Sequence, residues 1–170
     1  MGEPLASQYL ADVLVRLRGL KSRGGKAIAQ IRDDAKLREK LDPESNSIEI
    51  LVHHLAGNMI SRWTDFLTAD GEKNRDRDAE FEPRGSFSRA EILAEWERGW
   101  ACVFRAVEAL DAGDLARTVT IRGEPMPVVS AINRQLMHYG EHVGQILLLA
   151  KHFEWQSWKT LSIARGKSKE

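Results

Sequence analysis

Four stretches of this 170-residue chain place apolar side chains at helical spacing, and no stretch sustains the alternation of a strand-forming sequence. In the first, Leu10, Val13, Leu14, Leu17 and Leu20 recur every three or four residues, which gathers them on one helical face. This helix should begin near Leu5 and run into the thirties. Gly24-Gly25 weakens it by about 1 kcal/mol per glycine relative to alanine, so a bend or break is expected there. Leu41-Asp42-Pro43 marks a connection. The second stretch has Asn46 as a capping residue, with Glu49 three positions on to complete a capping box. Its stripe is Ile48, Val52, Leu55, Met59, Trp63 and Phe66, ending near Leu67. The third opens on Ser88 with Glu91, and Phe87 with Ile92 forms a hydrophobic staple. Leu93, Trp96, Trp100, Val103, Phe104, Val107 and Leu110 give its buried side, and Ala112-Gly113-Asp114 stops it. The fourth is blocked by Pro125 and Pro127 until about Val128. It then carries Val129, Ile132, Leu136, Tyr139, Val143, Ile146, Leu147 and Ala150 to about Phe153. Trp155 and Trp158 begin a final segment expected to pack back. Four amphipathic helices of this kind predict an all-α four-helix bundle, with residues 1–170 forming a single domain.

Two connections carry information. Residues 68–87 form a long polar loop between the second and third helices, rich in charges of alternating sign. Loops of this length are uncommon in compact domains unless they have a function or lack structure. Alternating signs also allow the loop to neutralise itself. Residues 117–122 alternate Thr118, Val119, Thr120 and Ile121, which suggests a short extended piece.

Charge narrows the class of partner. The chain has 25 Lys plus Arg against 25 Asp plus Glu, so its net charge gives no global attraction to nucleic acid or anionic lipid. The densest basic run, Arg16 to Lys26, points around a helix in nearly all directions and reads as a solvated surface. No apolar run approaches the roughly 20 residues needed to span a bilayer, and Arg16 and Arg18 interrupt any signal-peptide-like stretch. Cys102 is the one cysteine. It excludes an intrachain disulfide, fits a cytoplasmic setting and reads as a buried structural thiol.

The chemistry lies in histidines. His138 and His142 stand four apart on the fourth helix, one above the other on one face. Two imidazoles at this spacing can share a metal ion, and a useful site needs a third ligand. His53 and His54 on the second helix are the candidates, and both stand well off its apolar stripe, on opposite sides. His54 shares its side with Asn58, Ser61 and Asp65, a polar ridge able to orient a ligand. His152 lies roughly 15 Å beyond His142 at 1.5 Å per residue and is excluded. Glu141 projects about 100° from each neighbouring histidine and reads as a surface or supporting carboxylate. There is no Gly-rich phosphate loop, no G-x-S-x-G elbow and no C-x-x-C.

Several local patterns together resemble a known group. They are His53-His54-Leu55-Ala56-Gly57-Asn58, Arg62-Trp63-Thr64-Asp65-Phe66-Leu67, Asp70-Gly71-Glu72 and Arg75 to Glu82. Ile121-Arg122-Gly123-Glu124, Arg134 to Tyr139, His142 to Ile146 and Leu161 to Ser168 complete the set. As a set they resemble a domain-of-unknown-function branch of the DinB-like superfamily (DinB/YfiT-like) over nearly the whole chain. That resemblance implies an up-down-down-up four-helix bundle, often a homodimer. It also implies a three-histidine site for nickel, zinc or a similar divalent ion. In that superfamily the first ligand precedes a leucine on the second helix, which matches His54-Leu55 and selects His54 over His53. His138 and His142 match the other two.

The resulting expectation is a metal-dependent enzyme, thiol S-transferase-like or hydrolase-like, acting on an unidentified small molecule. A low-molecular-weight thiol is a candidate second cofactor. Asp70, Glu72, Arg75 and Arg77 in the polar loop are candidates for substrate recognition, with a self-paired solvated segment as the alternative. The competing reading is a non-catalytic metal-binding or stress-associated binding protein on the same bundle.

Overall fold

The computed structural model describes residues 2–73, 75–82, 85 and 88–168. Over these the four stripes become four α-helices: α1 (Glu3–Gln30), α2 (Ile48–Trp63), α3 (Arg89–Glu108) and α4 (Val128–Phe153). The extended piece becomes β1 (Thr118–Ile121), paired antiparallel with β2 (Glu124–Pro127) in a two-stranded sheet. The chain is therefore mostly helical, with one small hairpin between α3 and α4. Val119 and Ile121 are the inward side chains of β1, which explains the alternation in its sequence.

Helix boundaries follow local chemistry, with some differences from expectation. The α2 cap is Ser47, not Asn46: its side-chain oxygen accepts the Ile50 N–H at 3.3 Å. Because the helix starts at Ile48, the adjacent residue is the one placed to satisfy the first free amides. α2 ends at Trp63 rather than near Leu67, and Asp65 just beyond it takes a left-handed φ of 51°. The α3 capping box is present, with the Glu91 N–H donated to the Ser88 hydroxyl and the Ser88 N–H to the Glu91 carboxylate. The Phe87 half of its expected staple lies outside the described residues. α1 runs unbroken through Gly24-Gly25 and stops at Gln30. Gly24 instead seats a ring, since a Cβ there would stand 2.6 Å from the Trp96 indole.

α2 packs most extensively on α3, and α1 on α4, while α2 also meets α4 and α1 meets α3. Leu17 and Ile28 of α1, Leu51, Leu55 and Met59 of α2, Trp100 of α3, and Tyr139 and Ile146 of α4 are sealed in one shared core. Each such aliphatic side chain is worth about 1.5–3 kcal/mol on full burial. Trp100 makes edge-on contacts with Trp96 at 5.5 Å and Tyr139 at 5.6 Å, joining α3 to α4. Cys102, expected to be buried, is half-buried, with Sγ 3.5 Å from the Thr64 hydroxyl. The tail returns as expected: Trp158 packs on the core, and Lys159 and Gln30 exchange hydrogen bonds of 2.7 and 3.0 Å. Trp155 does not join it and is 72% exposed. Among the described residues no helix is long and apolar enough to cross a membrane.

Candidate metal centre

Where α2 meets α4, each helix contributes a polar row at helical spacing. His54, Asn58 and Arg62 lie four apart along α2, and Gln135, His138 and His142 occupy one sector of α4. The rows bring three imidazoles together. His54 Nε2 is 3.2 Å from His138 Nε2, which is 3.1 Å from His142 Nε2. One ligand-capable nitrogen from each ring lies within 4.8 Å of the others, so the trio could hold a metal ion. His53 turns elsewhere, placing Nδ1 3.1 Å from Glu95 Oε2 on α3.

This donor set suits a divalent cation. Imidazole nitrogens bound at about 2.0–2.1 Å to a tetrahedral ion stand about 3.3 Å from one another, close to the separations of His138 from His54 and from His142. Burial pushes His138 down to about 3, helped by the charges that His142 and His54 would carry. Burial likewise pushes His142 down to about 4, helped by His54. Both rings are therefore neutral near pH 7, the form that ligates. In addition, three facing ring nitrogens cannot all be satisfied by one another. A neutral imidazole has one N–H, and His138 Nε2 can donate to only one of its two neighbours.

The third ring is fixed by a residue that the sequence reading did not select. The loop after α2 is exposed at many positions, but Gly71 and Glu80 are buried. Ala79–Phe81 forms a 3-10 turn that packs on α2 and carries Glu80 beneath it. Glu80 Oε2 is 2.9 Å from His54 Nδ1, and both side chains are almost fully buried. A carboxylate only accepts, so His54 donates through Nδ1 and turns the Nε2 lone pair toward His138. Arg75 grips the same carboxylate with two hydrogen bonds, Nε to Oε1 at 2.6 Å and Nη2 to Oε2 at 2.5 Å. Burial works to raise the Glu80 carboxyl, but the bonds from His54 and Arg75 overcome it and hold it below the usual carboxylate range. Phe81 covers one face of His54 at 4.6 Å between ring centres, and the Arg77 guanidinium lies over Phe81. Gly57 makes room for all of this, because a Cβ there would land on Glu80 Oε1 and 2.8 Å from Cδ.

The hairpin is docked by the same loop. Its two-residue turn, Arg122-Gly123, is left-handed at both positions, with φ of 57° and 76°, the pattern of a tight hairpin turn. Asp70 accepts the N–H groups of Glu72, Gly123 and Arg122 at 2.7, 2.8 and 3.0 Å. These bonds, led by that of Gly123, hold its carboxyl down to about 2. Glu72 then accepts from Arg62 at 2.6 Å and from Arg122 at 3.2 Å. Asp70 and Glu72, expected near substrate, are thus committed to joining the loop, the hairpin and α2.

A cavity of about 220 Å³ opens beside His54 and His138, and Asn58, Gln135 and five arginines complete its wall. Asn58 also accepts the Tyr139 hydroxyl at 3.2 Å, and Tyr139 in turn accepts the Trp63 indole N–H at 2.8 Å. Arg75 and Arg77, the loop's other two candidates, line this cavity. Two candidates are not brought in. Asp65 lines a separate pocket with Cys102 and Arg105, which shares no wall residue with this one. Glu141 is exposed on α4. The missed Glu80 left one legible signal, a glycine three residues after His54 inside a helix, where close approach is a common reason for glycine.

No curated protein and no solved structure matches the chain. One family model does match, over residues 4–167, and its description is "Protein of unknown function (DUF1572)".

Proposed function

This chain belongs to the DUF1572 family, and we propose that it is a metal-dependent enzyme in which His54, His138 and His142 hold a divalent ion. The observation that supports this most is the convergence of three imidazoles from two helices, with His138 Nε2 3.2 Å from His54 Nε2 and 3.1 Å from His142 Nε2. Imidazole donors suit nickel or zinc. We place the chain in the DinB-like superfamily on the motifs quoted above, with helices in up-down-down-up order. When bound, such an ion acts as a Lewis acid and makes a nucleophile available near neutral pH. Three protein donors leave at least one position for that chemistry.

The residues of the chain divide the remaining work. Glu80 keeps the proton of His54 on Nδ1, so the ring presents its lone pair. Arg75 keeps Glu80 ionised and stops it from turning away. Phe81 shields one face of His54 from water. Tyr139, held by Trp63 and Asn58, forms the rigid floor between α2 and α4. Thiol transfer and hydrolysis both suit this arrangement, and a low-molecular-weight thiol would enter through the open cavity.

Metal analysis of protein purified without a nickel column tests the reading. About one equivalent of nickel or zinc is expected, and His138→Ala should lose it while keeping the helical circular dichroism spectrum. Unchanged metal content in that variant would overturn the ligand set. Metal uptake without turnover, on a panel of thiols with electrophiles and of hydrolysable substrates, would favour a binding protein over an enzyme.

A further inference from the structure

The wall of the cavity beside the histidines holds Arg62, Arg75, Arg77, Arg122 and Arg134. They converge from α2, the α2–α3 loop, the hairpin turn and α4 in a chain whose net charge is zero. Among the described residues the carboxylates paired with them are Glu72, shared by Arg62 and Arg122, and Glu80, held by Arg75. Asp70 is nearby in the fold, but its oxygens are taken by backbone N–H groups. Among the described residues neither Arg134 nor Arg77 has a carboxylate partner, and the Arg77 guanidinium lies over the Phe81 ring. Arg62, 4% exposed, also has Nε and Nη1 buried without a hydrogen-bond partner, and so has Gln135 at Oε1. Several like charges share one small space, with polar atoms left unmatched. Such an arrangement is stabilised by an anion, and guanidinium forks match carboxylate and phosphate oxygens in particular.

We propose that this cavity binds a small organic anion, bearing a carboxylate or phosphate group, through Arg77 and Arg134, and presents it to the histidine centre. The proposal deepens the metal-enzyme reading by naming its substrate class, and it rests on that reading only for the second half. The volume, about 220 Å³, admits a short diacid or a small phosphate ester. His138 stands in the same wall, so a bound anion lies next to the nitrogen donors.

Isothermal titration calorimetry decides it, using chelator-treated and zinc-loaded protein with succinate, inorganic phosphate and the neutral succinamide as probes. Succinate or phosphate should bind saturably at one site, and the stronger of the two identifies the group recognised. Succinamide should not bind. Arg134→Gln changes an exposed residue and should fold normally. It should weaken anion binding about ten- to a hundredfold, the range carried by one charge-assisted hydrogen bond, and leave zinc content unchanged. Arg77→Gln should behave alike. Absence of binding by both anions at millimolar concentration, equal binding of succinamide, or wild-type affinity in both variants would overturn the proposal. Anion binding by protein that takes up no zinc would remove the metal reading and keep the anion site. Zinc uptake without anion binding would do the reverse.

Discussion

Replacing Glu80 by glutamine changes almost no volume and removes one buried charge. In the native protein that carboxylate takes two bonds from Arg75 and one from His54, all within 2.9 Å and out of water. Glutamine keeps one accepting oxygen and turns an NH2 toward groups that also donate. The side chain of Arg75 is 6% exposed and would be left without its counter-charge. Breaking a buried pair from one side costs about 3–5 kcal/mol. The retained oxygen argues for the lower end, about 3 kcal/mol. For a chain of this length each kcal/mol moves the midpoint by about 2–4 °C, so Glu80→Gln should melt roughly 6–12 °C lower. The same change frees the His54 ring, and losing a partner behind a metal ligand lowers affinity about 10–100-fold. Circular dichroism melts of chelator-treated protein measure the first effect, and zinc competition with a chromophoric chelator the second. A variant that melts within about 2 °C of wild type and competes equally for zinc would refute the reasoning that Glu80 clamps His54.

Further outcomes follow from the same geometry. Gly57→Ala should destabilise by about 1–3 kcal/mol through displacement of Glu80, despite a helix-propensity gain of about 1 kcal/mol. In a Glu80→Ala background the clash is absent, so Gly57→Ala should become stabilising there, and urea midpoints of the four proteins test that change of sign. For the metal-free protein, His138 at about 3 and His142 at about 4 lie below their ordinary 6.5. The unfolded chain therefore binds more protons as pH falls through 6.5. Stability from these rings is complete above that value and declines as pH falls, to about 4 for His142 and about 3 for His138. Urea midpoints at successive pH values should show this, and a His138→Ala/His142→Ala double variant should flatten that part of the profile. Ser47→Ala should cost about 1 kcal/mol through loss of the α2 cap, whereas Asn46→Ala should be nearly neutral; equal effects in chemical denaturation would contradict the assigned cap.

The parts of this protein readable from sequence are those encoded by spacing. Apolar periodicity located all four helices, and the i, i+4 step put His138 and His142 on one face. Phase could not separate His53 from His54, since both leave the stripe. The motif resemblance selected His54, whose Nε2 lies beside that of His138, while His53 turns to Glu95. Boundaries were less legible because caps depend on single residues, as Ser47 against Asn46 shows. The α2–α3 loop was the largest gap. Alternating signs anticipated self-pairing and did yield Arg75 with Glu80, but polarity alone could not show the pair folded under a helix. Nor could it show Asp70 spent on the hairpin turn, because those bonds join residues about fifty apart in sequence.

The helices associate as two leaves, α2 with α3 and α1 with α4. His54 belongs to one leaf, and His138 and His142 to the other. An ion gripped by all three would act as a rivet through the spine of the book. Removing such an ion would then cost the fold a cross-tie between the two leaves, and the protein should melt at a lower temperature without it.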